Sequence, residues 1–262
     1  MSADEPRVVA ITGASSGIGA ALALHLASPG RVIGMVARDT HRLNDIAATC
    51  RARGATCTIA AVDVRDPAAN LFLQQLDLEQ PIDLLVLNAG ILDGRRAGEV
   101  VEQDSVAERV LSTNLLAPLS NLHAVLPAMR LRKRGTILLV SSLAAFVPLA
   151  DAPAYSASKS ALVSYGLALR QVLKPEGIKV IIACPGFVAT PMSQTHIGNR
   201  PGEISADRAA RIILNAIGGR RGLVGFPAGA YWLSRAALLV PERWRYHFTK
   251  KTRFHVHPVS GT

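Results

Sequence analysis

Residues 7 to 37 read RVVAITGASSGIGAALALHLASPGRVIGMVA. The two ends, RVVAIT at 7 to 12 and RVIGMVA at 31 to 37, are short apolar runs rich in Val and Ile, without the polar alternation of a half-exposed strand. Such runs read as strands buried on both faces. Between them the chain turns through TGASSGIG, Thr12 to Gly19, and then becomes Ala- and Leu-rich over a helical length. The same alternation continues in TCTIAAV (56 to 62), IDLLVLN (82 to 88), GTILLVSS (135 to 142) and IKVIIAC (178 to 184), with helical stretches between them. Continuous apolar strands separated by helices predict an α/β fold: a doubly wound, Rossmann-like parallel sheet with helices on both faces, in a single domain. In such sheets ligands sit beyond the carboxyl ends of the strands.

Composition agrees with one globular unit. The chain has 262 residues, of which 49% are hydrophobic and 18% charged, enough for one full core. The opening MSADEPRVVAITG lacks a basic region followed by an apolar run, so a cytoplasmic protein is expected. Cys50, Cys57 and Cys184 have neither metal-site nor disulfide spacing, and no metal and no cysteine chemistry are expected. The net charge of +10 is unevenly placed: residues 1 to 194 hold 18 Lys and Arg against 16 Asp and Glu, and residues 195 to 262 hold 11 against 3. Basicity belongs to the C-terminal quarter, which makes a uniform nucleic-acid coat a poor description.

The glycine turn is the first candidate site. Gly13, Gly17 and Gly19 permit a tight turn, close approach to a pyrophosphate and close packing of the next helix, whose N-terminus offers free N–H groups. The spacing G-x-x-x-G-x-G departs from the common G-x-G-x-x-G, so the turn alone is weak. A second candidate is Tyr155 with Lys159, four residues apart on one helix face. Taken alone, that pair is better explained by a packed ring and a surface cation.

Company decides between these readings. TGASSGIG, NAG at 88 to 90, Asn114 in STNLLAP, Ser142 in VSS, YSASK at 155 to 159 and PGFVAT at 185 to 190 stand in the order and spacing of the short-chain dehydrogenase/reductase family, which the chain resembles over about residues 6 to 227. The resemblance is to the single-domain branch. It implies a catalytic set of Asn114, Ser142, Tyr155 and Lys159, with Tyr155 exchanging a proton with a carbonyl or alcohol oxygen. Lys159 would lower the phenol's pKa and hold the nicotinamide ribose, Ser142 would donate to the developing oxyanion, and Asn114 would support a water beside Lys159.

The same resemblance assigns the cofactor contacts. Gly13, Ser15, Ser16, Gly17, Ile18 and Gly19 would line the pyrophosphate, Asp63 and Val64 the adenine, and Asn88, Ala89 and Gly90 the adenosine side. Tyr155 and Lys159 would reach the ribose, and Pro185, Gly186, Val188 and Thr190 the carboxamide. A 2′-phosphate favours Arg where a free 2′-hydroxyl favours Asp. Ala37 followed by Arg38 resembles NADP users, and Asp39 keeps NAD open.

On substrate, Phe146, Val147, Pro148, Leu149 and Phe187 suggest an apolar mouth, and residues 191 to 205 a mobile lid that includes His196. The leading expectation is an NADP-dependent oxidoreductase acting on a carbonyl or secondary alcohol of a lipophilic small molecule. The alternatives are a β-ketoacyl thioester reductase that receives an acidic carrier, and a non-catalytic dinucleotide-binding regulator with a basic nucleic-acid-binding tail. By resemblance a homodimer or homotetramer forms through helices at 101 to 130 and 153 to 173. Residues 1 to 227 make the catalytic domain, and 228 to 262 a basic aromatic extension. From Phe226 to Phe254 lie 7 of the 12 aromatic residues. That composition fits an anionic membrane surface, and equally a subunit interface or a pocket wall.

Overall fold

The computed structural model describes residues 5–194, 196–241, 243–244 and 255–256. The first half alternates strand and helix: β1 (Val8–Thr12), α1 (Gly17–Leu26), β2 (Val32–Val36), α2 (Thr40–Ala52), β3 (Thr56–Ala60), α3 (Pro67–Glu79) and β4 (Leu84–Leu87). There follow α4 (Asp104–Leu111), α5 (Ala117–Leu131), β5 (Gly135–Val140), α6 (Pro153–Leu173) and β6 (Ile178–Pro185). Short pieces come next: β7 (Val188–Ala189), α7 (Pro191–Gln194), β8 (His196–Ile197) and β9 (Ile204–Ser205). The described chain ends with α8 (Ala206–Gly218), β10 (Leu223–Phe226), α9 (Ala228–Ala237) and β11 (His255–Val256).

Seven strands form one parallel sheet in the order β10-β6-β5-β4-β1-β2-β3. Every residue of β1, β2 and β4 is buried, which is why these strands read as unbroken apolar runs. One face packs α1, α2 and α8 through Leu22, Leu43 and Ile213; the other packs α3, α5 and α6 through Leu73, Leu122 and Leu162. Strand order reverses at β1, between β2 on one side and β4 on the other. The crevice beyond that reversal is where such a sheet takes its ligand.

Helix starts are built locally. Asp39 accepts from Arg42 N–H at the head of α2, Asp66 from Ala68 N–H at α3, and Ser205 from Arg208 N–H at α8. Helix α1 differs, because Ser16 makes no side-chain cap bond. Its first N–H groups remain available to a ligand.

Two expectations change. Strand β10 has no counterpart among the six expected strands: four residues with Gly225 in the middle give too little pattern, and only pairing with β6 makes it a strand. The helical stretch at 101 to 130 is interrupted by one π turn, Ser112–Leu116, between α4 and α5. Pro118 has no N–H to give the carbonyl of Asn114, four residues earlier, so the regular ladder cannot run through this point. Among the described residues no helix is long and apolar enough to cross a membrane. Most of the basic aromatic tail, 245–254, lies outside the described residues, as do 257–262.

Candidate active site

A cleft of about 1640 Å³ opens at the carboxyl ends of the strands, running from the glycine turn past Tyr155 to α9. Gly13 and Gly19 show why glycine stands at its floor. A Cβ on Gly19 would lie 2.2 Å from the Gly13 carbonyl oxygen, and Gly13 has φ of +68° with the Ala89 backbone 2.8 Å from its would-be Cβ. The turn is thus pressed against the loop after β4. Asn88 locks that contact, its Nδ2 donating to the carbonyls of Thr12 and Gly13 at 3.1 Å each, while Thr12 Oγ1 accepts from Asn88 N–H and Ala89 N–H.

The four expected catalytic residues converge from three places in the fold. Tyr155 and Lys159 lie in the first two turns of α6, with Lys159 Nζ 5.7 Å from the centre of the phenol ring and donating to Val140 O at 3.2 Å. Ser142, just past β5, accepts from Ala144 N–H, which aims its hydroxyl at the phenol. Asn114 is fully buried in the π turn, its Oδ1 accepting from Ile91 N–H at 2.7 Å and its Nδ2 donating to Ile91 O at 2.9 Å. It stands behind Lys159: a Cβ on Gly90 would be 3.1 Å from Asn114 Oδ1 and 3.3 Å from Lys159 Nζ. Ser142, Tyr155 and Lys159 line the cleft, and Asn114 does not.

One electrostatic expectation is corrected. The ammonium of Lys159 was expected to lower the phenol's pKa, but burial of Tyr155 pushes it up, with the Ser142 hydroxyl pulling part of the way back. Burial also lowers Lys159 to about 8, with Cys184 acting in the opposite direction. Desolvation outweighs attraction because both groups are more than nine-tenths buried. At neutral pH Tyr155 therefore keeps its proton and Lys159 remains mostly cationic. Cys184 is buried and pushed up to about 12, an inert thiol beneath the site.

Of the residues expected at the cofactor, Gly13, Ser15, Ser16, Gly17 and Ile18 line the cleft at its glycine end, and Gly19 lies behind them in close packing. Arg38, Asp63 and Val64 follow, then Asn88, Ala89 and Gly90. Pro185, Gly186, Val188 and Thr190 close the far side. Asp39 is occupied as the cap of α2 and pairs with Arg42 Nε at 3.2 Å. Asp63 is held by Arg65 at 2.8 and 3.0 Å, which keeps its carboxyl below the usual range, and Arg38 Nη1 is 3.9 Å from it. Arg42 also lines this end of the cleft and escaped the sequence reading. Its spacing of four residues from Arg38 was the available signal.

The apolar mouth is confirmed and enlarged. Phe146, Val147, Pro148, Leu149 and Phe187 line it, together with Met192, with Ala230, Leu233 and Ala237 from α9, and with Val240 just beyond that helix. Helix α9 is anchored by Tyr231, edge-on to Phe146 at 5.9 Å, and by the Arg235 guanidinium 5.4 Å above the same ring. In the segment 191 to 205, Met192, Ser193, Asn199 and Pro201 reach the cleft. The side chain of His196 lies outside what is described; its backbone pairs with β11, Val256 opposite His196.

A strand-turn-helix cradle with glycine where a Cβ would clash, uncapped amides at α1 and a buried Tyr and Lys lining the same cleft fit a dinucleotide and a proton-transfer centre together. Comparison with known proteins agrees. The short chain dehydrogenase family profile matches residues 7–200, and the chain belongs to that family. An oxidoreductase of Myxococcus xanthus (strain DK1622) is 34% identical, over 90% of this chain and 93% of the relative. The 1-deoxy-11-beta-hydroxypentalenate dehydrogenase of Streptomyces exfoliatus is 33% identical, over 83% and 82%. A solved actinorhodin polyketide ketoreductase with NADPH superposes with a TM-score of 0.75 at 25% identity, over 88% of this chain and 99% of that one. The protein is an NAD(P)-dependent oxidoreductase acting on CH–OH and C=O groups.

Proposed function

We propose that the protein is an NADPH-dependent reductase of bulky, lipophilic ketones. The observation that carries this reading is the substrate end of the cleft, walled by the 146 to 149 segment on one side and by the apolar face of α9 on the other. A sugar-sized polar substrate would leave those walls desolvated without apolar partners. Preference for NADPH rests on charge: both carboxylates near the ribose position are engaged by Arg42 and Arg65, while Arg38 and Arg42 line that end of the cleft.

When bound, NADPH supplies the hydride that the carbonyl carbon accepts. The chain's residues supply the rest. The uncapped amides at the head of α1, with Ser15 and Ser16, would hold the pyrophosphate; Asp63 and Val64 would border the adenine; Val188 and Thr190 would border the carboxamide. Ser142 Oγ–H donates to the substrate oxygen and Tyr155 Oη–H delivers the proton that turns it into the hydroxyl. A phenol held protonated by burial is suited to giving that proton. Lys159, cationic below about 8, stabilises the phenolate left behind, and Asn114 holds the site's back wall through Ile91. Residues 191 to 205 act as a lid on the 1 to 227 catalytic domain.

NADPH oxidation followed across ketones from acetone-sized to sterol-sized, with ketoacyl thioesters included, tests the reading. Turnover should rise with apolar bulk. Activity confined to ketoacyl thioesters, or none with any bulky ketone, would reject it.

The cleft mouth also bears on location. Helix α9 turns Trp232 (68% exposed) outward, Leu239 (88%) and Trp244 beyond its end are exposed as well, Leu233 sits at the rim of the cleft, and the surrounding quarter of the chain is basic. This surface suits peripheral docking of a cytoplasmic protein on an anionic bilayer, with substrate entering from the lipid. Full-length protein should co-sediment with phosphatidylserine-containing vesicles at low salt and less at high salt. The W232S/L239S double variant should lose that binding; no sedimentation of the wild type at low salt would discard the docking. Exposed Leu116 in the π turn, Leu131 at the end of α5, and Leu167 and Val172 on α6 support a homodimer or homotetramer.

A further inference from the structure

The turn that carries Tyr155 is held from outside its own helix. Ala152, the residue before α6, makes no side-chain cap, and Pro153 at the first position has no N–H. The first amide in need of an acceptor is that of Ala154, and it donates to Glu102 Oε1 at 2.7 Å, across 52 residues of sequence. Glu102 is 9% exposed, and its Oε2 is buried with no hydrogen-bond partner among the described residues. A buried carboxylate oxygen left unpaired is costly, so the side chain is not there for stability alone. Burial pushes its carboxyl up, the Ala154 amide pulls it down, and Asp93 pushes it up again.

Glu102 ends a loop that begins at Ile91, after β4. The same Ile91 holds both ends of the Asn114 amide. In the middle of the loop Arg95 N–H donates to Asp151 O at 2.9 Å and Arg95 Nε to Asp151 Oδ1 at 2.6 Å, just before α6. Asp93, fully buried, binds Arg96 and the Arg109 guanidinium of α4. The charged group that acts on Glu102 is Asp93, itself paired with Arg96 and Arg109.

We propose that Glu102 is a positioning residue for the reaction: through the Ala154 amide it fixes the first turn of α6, so that the loop from 91 to 103 holds Tyr155 in register with Asn114. The proposal rests on Tyr155 as proton donor. Glu102 touches no reacting atom. Its effect passes through one backbone amide, and a displacement of about 1 Å at a proton donor costs up to about 100-fold in rate.

The test uses full-length Glu102→Gln and Glu102→Ala, reading kcat with a bulky ketone, KM for NADPH, and hydrogen exchange at the Ala154 amide. Gln retains an acceptor oxygen, so kcat should stay within about 2-fold and Ala154 should stay protected. Ala removes it, so kcat should fall about 10- to 100-fold with KM for NADPH nearly unchanged, and Ala154 should exchange faster. If the Ala variant does not fold, Glu102→Asp, which keeps the charge but withdraws the carboxylate by one methylene, should show the same loss. A folded Ala or Asp variant with wild-type kcat overturns the proposal, and so does a Gln variant as impaired as Ala. Exchange at Ala154 reports on Glu102 even if the role of Tyr155 fails, which keeps the two failures distinguishable.

Discussion

Tyr155→Phe is expected to lower kcat by ~10² to 10⁴-fold while leaving the dissociation constant for NADPH within about 3-fold. The ring is buried at the cleft and packs with Leu92 and Ala144, so Phe keeps the volume and loses only the hydroxyl. No other phenol lines the cleft among the described residues, and Lys159, with its pKa at about 8, sits behind Tyr155 where it donates to Val140 O. No nearby group can take over delivery of the proton. Steady-state turnover paired with fluorescence titration of the cofactor separates the two quantities. Near-normal turnover in the Phe variant would end the proposed mechanism.

Arg38→Ala is expected to raise KM for NADPH by about 10- to 100-fold, the worth of one lost charge-assisted contact, and to leave KM for NADH almost unchanged. Arg38 is half exposed at the rim and is not the primary partner of Asp63, which Arg65 already holds. Its guanidinium is thus free to swing onto a 2′-phosphate. Arg42 shares the rim, so an R38A/R42A double variant should lose more than either alone. Equal changes for the two cofactors would shift the assignment to NAD and to Asp39.

Much of the architecture was legible beforehand because its determinants are local. A strand buried on both faces must be largely apolar: β2 and β4 are so throughout, and β1, β5 and β6 depart from it only at Thr12, Thr136 and Lys179. A backbone that must pass within van der Waals reach of another backbone must be glycine, as at Gly13 and Gly19. Tyr155 and Lys159 were legible as a pair because helical spacing alone puts them on one face. The motifs' order then supplied Ser142 and Asn114 by resemblance.

The sequence by itself determined the α/β class and the glycine turn and named the candidate proton-transfer residues, since each follows from periodicity, from backbone sterics or from motif order. Tertiary structure alone decided the rest. Strand β10 exists only because β6 offers it an edge. The π turn brings Asn114 to Ile91 because Pro118 cannot complete the ladder and the loop after β4 supplies the missing partners. The phenol's pKa moved opposite to expectation because desolvation depends on everything packed around a group and not on its neighbours in sequence. The apolar run at 228 to 240 acquired its meaning in the same way: α9 shows one face to the cleft and the other to solvent, and no spacing along the chain says which strand ends it will cover.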